Sequence, residues 1–139
     1  MSFLLDTNVV WESTAPHPNR GVVAWLAGVD EDSVFLSVIT LTEIRYGVER
    51  LAPGQRRKQL DRWLQHDLLL RFEGRILSID ALVADACGAL VARTESLGGP
   101  IEARDAFIAA TAQVHRLTLV TRNRSHFETT VKTILTPWT

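Results

Sequence analysis

The sequence contains few of the residues that mark a secreted or membrane protein. Cys87 is the only cysteine, which excludes an internal disulfide and fits a reducing compartment; we interpret it as a small apolar residue on a buried helix face. No apolar run approaches the roughly 18 residues that a membrane span requires. The first residues lack the basic and apolar segments of a secretion signal. We therefore expect a cytoplasmic protein without membrane contact.

Lysine is also scarce, and the overall charge is nearly balanced. Lys58 and Lys132 are the only lysines, and the formal net charge is −1, so the chain as a whole has no general attraction to nucleic acid. Among the 139 residues, 46% are hydrophobic and 22% are charged, a composition typical of globular proteins. Since the sequence shows no repeat or low-complexity segment, we predict a single domain over residues 1–139.

Short apolar segments alternate with amphipathic ones along the chain. The predicted strands cover residues 3–5, 34–37, 76–79, 117–120 and 132–135. The predicted helices cover residues 9–13, a segment capped by Asn19, a segment from about Thr40 to Leu51, then 55–70, a long segment capped by Asp80, and 103–115. Such alternation is typical of an α/β fold. We therefore predict an α/β/α sandwich around a mostly parallel sheet of about five strands.

Three acidic residues are predicted to meet at one edge of this sheet. Asp6 directly follows the first strand, and Glu43 and Asp105 lie near the starts of two helices. Strand-to-helix junctions of a parallel sheet share one edge, where such folds bind ligands. Each acid also has a purely structural explanation. Asp6 is suited to cap a helix, Glu43 matches a capping box with Thr40, and Asp105 favours the positive end of a helix dipole.

Those local explanations do not account for the meeting of all three acids at one edge. Clustered carboxylates repel one another, and a bound cation removes the repulsion. Ligand sets made only of oxygen atoms suit Mg²⁺ or Mn²⁺. We therefore interpret the edge as a candidate site for one of these ions.

Four motifs in the sequence carry a family resemblance. They read L-L-D-T-N-V at 4–9, S-V-I-T-L-T-E-I-R-Y-G-V at 37–48, R-D-A-F-I-A-A-T-A at 104–112 and L-T-L-V-T-R-N at 117–123. In content and order they resemble the PIN-domain ribonucleases of the VapC and FitB type, which are the toxins of bacterial toxin–antitoxin pairs. The resemblance implies a PIN-like fold in which Asp6, Glu43 and Asp105 are catalytic and hold the metal. Four residues would support them: Thr7, Asn8, Thr121 and Asn123.

The same resemblance implies the reaction and its participants. It implies a metal-dependent endoribonuclease in which the ion activates a water molecule, leaving a 5′-phosphate and a 3′-hydroxyl. It also implies a small DNA-binding antitoxin as cognate partner, and a homodimer. Four arginines in the matching segments are candidates for RNA binding: Arg45, Arg104, Arg122 and Arg124.

One segment departs from the family pattern. Asn123 and His126 lie where the family often has a fourth acid, so we predict one firmly held ion and interpret His126 as a surface residue. The departure leaves open a catalytically impaired PIN fold that only binds RNA or protein. A phosphatase of the haloacid dehalogenase type is disfavoured, because Asn8 replaces its second aspartate and no lysine is suitably placed.

Overall fold

The computed structural model describes all 139 residues and has a five-stranded sheet at its centre. The strands are β1 (Phe3–Leu5), β2 (Val34–Ser37), β3 (Ile76–Leu77), β4 (Thr118–Val120) and β5 (Ile134–Leu135). Their spatial order is β3-β2-β1-β4-β5, and every neighbouring pair is parallel. The predicted fold class is confirmed, and the sheet is wholly rather than mostly parallel. The first strand therefore occupies the middle of the sheet.

Helices connect the strands. They are α1 (Thr7–Glu12), α2 (Arg20–Gly28), α3 (Val38–Glu49), α4 (Gln55–Arg62), α5 (Leu69–Arg71), α6 (Ala81–Ser96) and α7 (Ala103–His115). A π-helical segment, Trp63–Leu68, joins α4 to α5, so the predicted helix at 55–70 is present with a widened middle turn. Its leucines at 60, 64 and 68 are buried as expected from their spacing.

Two separate apolar cores pack against opposite faces of the sheet. Leu4 and Leu119 belong to the core that includes residues of α6 and α7, whereas Leu5 and Val120 belong to the core under α1 to α4. This division follows from strand geometry, since successive side chains of a strand point to opposite faces. Cys87 is an unpaired, buried member of the first core, as predicted. The sheet is thus covered on both sides.

The beginning of α3 differs from the prediction. The helix starts at Val38, and its N-cap is Ser37, whose Oγ accepts a 3.0 Å hydrogen bond from the backbone N–H of Ile39. Thr40 lies inside the first turn, so the local explanation of Glu43 as part of a capping box with Thr40 does not hold. The physical reason is that β2 runs directly into α3 and leaves no linker between them. Glu43 is consequently free to face another part of the chain.

Several other boundaries are shifted by a few residues. The first helix begins at Thr7 because the Asp6 carboxylate accepts a hydrogen bond from the Thr7 N–H. The strands predicted at 76–79, 117–120 and 132–135 are shorter than expected, and a short 3₁₀ turn, Glu31–Ser33, precedes β2. No helix combines the length and the apolar character needed to cross a membrane.

Candidate functional site

Three acidic side chains from distant segments face one open cleft at the edge of the sheet. Asp6 follows β1, Glu43 lies in the second turn of α3, and Asp105 lies in the first turn of α7. All three line a cavity of about 440 Å³, which we call the carboxylate cleft. The predicted residues Thr7, Asn8, Arg104 and Asn123 line it too. The fold therefore brings together residues that are far apart in the sequence.

The Asp6 carboxylate is buried and held by hydrogen bonds on both oxygens. Its Oδ1 accepts a 2.8 Å bond from the Thr7 N–H, and its Oδ2 accepts bonds from the Thr121 hydroxyl at 2.8 Å and from the Asn8 amide at 3.3 Å. The Thr121 hydroxyl also accepts a bond from the N–H of Asn123. These contacts fix the orientation of the carboxylate and give Thr7, Asn8 and Thr121 the positions expected of supporting residues.

Glu43 is oriented by contacts from two other helices. Its Oε1 accepts a 2.7 Å hydrogen bond from the Thr7 hydroxyl, whose oxygen lies 3.2 Å from the Thr40 hydroxyl oxygen. Its Oε2 lies 3.7 Å from a guanidinium nitrogen of Arg104. Glu43 thus makes a contact to α1 and an ion pair to α7 instead of the capping contact that its spacing from Thr40 allowed. Both contacts direct the carboxylate into the cleft.

Asp105 makes one side-chain contact, with a histidine. The Nδ1 atom of His126 lies 3.3 Å from Oδ2 of Asp105. The N-cap of α7 is Glu102, whose Oε2 accepts hydrogen bonds from the N–H groups of Arg104 and Asp105. Asp105 therefore lies in the first helical turn, as predicted. His126 is a surface residue in that its side chain is 55% exposed, yet it also lines the carboxylate cleft.

The environment disfavours the ionised forms of two of the acids. Burial raises the pKa of Asp6, although hydrogen bonds from Thr121, Thr7 and Asn8 and the charge of His126 act to lower it. Burial also raises the pKa of Asp105, and the negative charges of Asp6, Glu102 and Glu43 raise it further, while His126 opposes them. A cation in the cleft would reverse both effects, because an opposite charge favours a carboxylate.

The donor set fits a small divalent ion. Carboxylate, hydroxyl and amide oxygens are the ligands that Mg²⁺ and Mn²⁺ prefer. No group of three His, Cys, Asp or Glu side chains is arranged closely enough to hold one ion by itself. Mg²⁺ usually retains several waters and binds through one or two carboxylates. The open cleft has room for such a partly hydrated ion between its acids.

Of the four arginines predicted to bind RNA, only Arg104 lines the cleft. The Arg45 guanidinium is paired with Asp61 at 2.7 Å and with Glu49 at 3.2 Å. The Arg122 guanidinium lies 5.7 Å from the centre of the Trp138 ring. Arg124 donates a 3.0 Å hydrogen bond to the carbonyl of Ile134. The structure does not bring these three side chains together with the acids.

The cleft also contains residues that sequence reasoning missed. Trp11, Tyr46, Gly47 and Arg50 line it next to the acids. A signal for three of them was available, because residues 46, 47 and 50 follow Glu43 at the i+3, i+4 and i+7 spacing that defines one helix face. Trp11 had no such signal, since its position depends on how α1 packs against α3.

Comparison with known proteins adds independent findings. The family model described as PIN domain matches residues 3–132. The chain is 40% identical over 135 residues to toxin FitB of Neisseria gonorrhoeae, covering 97% of each protein. It is 34% identical over 135 residues to VapC ribonuclease Y4jK of Sinorhizobium fredii, covering 97% of this chain and 96% of that one. It also superimposes with a TM-score of 0.93 on a solved structure of FitAB bound to an IR36 DNA fragment, at 38% identity and with 99% and 96% of the two chains covered.

Proposed function

Because the chain belongs to the PIN-domain family, we propose that it is a metal-dependent endoribonuclease acting as the toxin of a bacterial toxin–antitoxin pair. The observation that carries this proposal is the meeting of Asp6, Glu43 and Asp105 in one cleft. Relatives that are named a toxin and a ribonuclease support both parts of it. The reaction would hydrolyse RNA phosphodiester bonds and leave 5′-phosphate ends.

Mg²⁺ or Mn²⁺ would be held by Asp6, Glu43 and Asp105, directly or through waters that the ion retains, and when bound it would supply Lewis-acid activation of a water and of the phosphate. The chain's own residues orient the carboxylates of the cleft. The hydroxyls of Thr121 and Thr7 hold the carboxylates of Asp6 and Glu43 in place, as supporting hydrogen bonds commonly do at metal sites. Asn123 adds no charge where the family often has a fourth acid, which favours one firmly held ion.

Arg104 is the cation suited to attract the RNA backbone into this acidic cleft. Its side chain is 54% exposed, and its guanidinium lies 3.7 Å from the Glu43 carboxylate, so it is both reachable by a phosphate and close to the acids. The other three candidate arginines do not line the cleft. Any contact between them and RNA would therefore lie away from the carboxylates.

A cognate DNA-binding antitoxin and a homodimeric state complete the proposal. Support for the antitoxin comes from the similarity to FitB within the solved FitAB complex, which is bound to DNA. Homodimerisation rests on the family resemblance, and the mass of the purified protein in solution tests it.

The alternative of a PIN fold that only binds RNA or protein has two observations in its favour. No three ligands converge on a single point, and Asn123 brings no negative charge to the cleft. The phosphatase alternative loses its basis, because the family match is to the PIN domain and the Asn8 side chain is occupied in hydrogen bonding to Asp6 and Thr121.

Induced expression in a bacterial host tests the proposal against the binding-only alternative. We expect the wild-type chain to arrest growth and to create new 5′-phosphate ends in cellular RNA, and Asp105→Asn to do neither. The matched control is Asp85→Asn, which changes an exposed aspartate of α6 outside the cleft and should behave like wild type. Growth arrest without new RNA ends would contradict the ribonuclease proposal.

A further inference from the structure

One face of α3 presents an acid, an aromatic ring and a cation along the carboxylate cleft. Glu43, Tyr46, Gly47 and Arg50 all line it, at a spacing that places them on the same side of a helix. At 1.5 Å per residue, Arg50 lies about 10 Å along the helix from Glu43. The cleft therefore extends from the acids to an aromatic and basic end.

Tyr46 and Arg50 are accessible and are not engaged by acidic residues. Tyr46 is the only tyrosine of the chain. It lines the cleft, and 47% of its surface is exposed. The Arg50 guanidinium carbon lies 5.2 Å from the centre of the Tyr46 ring. Arg50 forms none of the ion pairs of the structure, whereas Arg45 on the same helix is held by Glu49 and Asp61. Arg50 thus has no acidic partner, and its guanidinium lies beside an exposed aromatic ring.

Gly47 allows a second aromatic residue to approach this end of the cleft. A Cβ atom at position 47 would lie 2.6 Å from Cζ2 of Trp11, so only glycine lets the indole lie against α3. The Trp11 ring is in turn supported by Trp63, with the ring centres 6.3 Å apart. The wall next to Tyr46 is therefore aromatic and fixed in position.

We propose that Tyr46 and Arg50 form a nucleotide-binding subsite, in which the Tyr46 ring stacks on a base of single-stranded RNA and Arg50 binds a neighbouring phosphate. Aromatic platforms combined with cations are how proteins hold single strands, since every base offers a face for stacking. The inference rests on the proposed ribonuclease function and deepens it. It places one base of the RNA on the α3 side of the carboxylates.

Four variants of the purified protein test the subsite. Tyr46→Leu removes the ring, Tyr46→Phe keeps it, and Arg50→Gln removes the cation. The matched control is Arg62→Gln, which removes an exposed arginine of α4 that makes no ion pair and does not line the cleft. The probe is a fluorescein-labelled single-stranded RNA twelve-mer of mixed sequence. Its binding is followed by anisotropy in Ca²⁺, and cleavage of mixed cellular RNA is followed in Mg²⁺ and Mn²⁺.

We expect Tyr46→Leu to weaken binding by about 10-fold, the size of one lost base stack, while Tyr46→Phe stays within about 2-fold of wild type. Arg50→Gln should weaken binding and reduce the salt dependence by about one phosphate contact. Arg62→Gln should bind as wild type does. The melting temperatures of all four should stay near that of wild type, since the changed side chains are exposed or half-exposed.

The failure of the subsite and the failure of the ribonuclease proposal give different results. Wild-type protein that neither binds nor cuts RNA would overturn both. RNA cleavage with unaltered binding in Tyr46→Leu and Arg50→Gln would overturn the subsite and leave the nuclease. Variants that bind and cut RNA normally but escape inhibition by the co-expressed antitoxin would assign the two residues to a protein partner instead, which also overturns the subsite.

Discussion

The hydroxyl of Thr7 donates a 2.7 Å hydrogen bond to Oε1 of Glu43 and so links the first turn of α1 to α3. A similar bond, 2.8 Å long, runs from the hydroxyl of Thr121 to the carboxylate of Asp6. Two of the three acids are therefore oriented by threonines that lie far from them in the sequence. The arrangement of the cleft depends on these hydroxyls, which makes them suitable targets for substitution.

Replacing Thr121 by valine should weaken metal binding and RNA cleavage by about 10- to 100-fold, the usual effect of losing a supporting hydrogen bond at a metal site. The lost bond is one of those that lower the pKa of Asp6, so Thr121→Val should raise that pKa further. Calorimetric titration with Mn²⁺ and initial cleavage rates would measure the two effects.

Thr111→Val is the matched control for this change. Thr111 is also fully buried, but its hydroxyl donates only to the carbonyl of Phe107 within α7. An equal loss of Mn²⁺ affinity in the two variants would show that the effect comes from packing rather than from the hydrogen bond to Asp6.

Gly47→Ala should destabilise the protein by about 1–3 kcal/mol, because the added methyl group overpacks the contact with the Trp11 ring. The distance of 2.6 Å from such a Cβ to Cζ2 of Trp11 requires the indole to move. Urea unfolding would measure the change. Gly88→Ala in α6 serves as the control, since a Cβ there meets nothing within 4 Å, and it should stabilise by about 0.5–1 kcal/mol through helix propensity. Equal effects of the two substitutions would refute the Trp11 contact.

In metal-free protein, Asp105→Asn should increase stability at neutral pH. Burial and the nearby acids raise the pKa of Asp105 above its ordinary value, so the folded state holds this proton more tightly than the unfolded chain does. The free energy of unfolding then falls as the pH rises from the unfolded pKa, about 3.9, through the folded one, and remains lower above it. Asp105→Asn removes the titrating group and therefore this loss of stability. The stability difference between Asp105→Asn and wild type should consequently shrink as the pH falls toward 4.

Thermal unfolding in EDTA across this pH range measures whether Asp105→Asn is more or less stable than wild type. Asp85→Asn, on the exposed side of α6, should show no gain. Added Mg²⁺ or Mn²⁺ should stabilise the wild type, because a ligand that binds only the folded state raises its stability, and should stabilise Asp105→Asn much less. Wild type that is more stable than Asp105→Asn at pH 7 in EDTA would contradict the prediction.

The position of the three acids could be predicted from the sequence because it follows from topology. Asp6 and the helix of Glu43 directly follow parallel strands, and α7 leads directly into β4 and so starts at the carboxyl edge of the sheet. Small errors in the strand ends do not change this. The start of α3 could not be predicted in the same way. Ser37 and Thr40 are both good N-caps, and the local spacing of Thr40 and Glu43 suits a capping box. Ser37 is the N-cap because β2 ends there and runs directly into α3, and the end of that strand depends on its pairing in the sheet, which the local sequence does not show.

The arginines also show that the local sequence does not determine which side chains face the cleft. Arg45 lies within α3 and Arg50 is its C-cap, yet Arg45 is held by Asp61 of α4 and Arg50 lines the cleft. Which helix face meets the cleft is decided by how α3 packs against α1 and α4. That packing is a tertiary property, so the sequence alone does not show which of the two arginines lines the cleft.

The most direct test of the metal-dependent ribonuclease is cleavage of mixed cellular RNA by the purified, antitoxin-free protein. The reaction is run with Mg²⁺, with Mn²⁺ and with EDTA, beside a folded Asp105→Asn variant. We predict cleavage that requires one of the two ions, leaves 5′-phosphate ends and is absent from the variant. Cleavage that persists in EDTA, or that Asp105→Asn performs at the wild-type rate, would contradict the assignment of the carboxylate cleft as the active site.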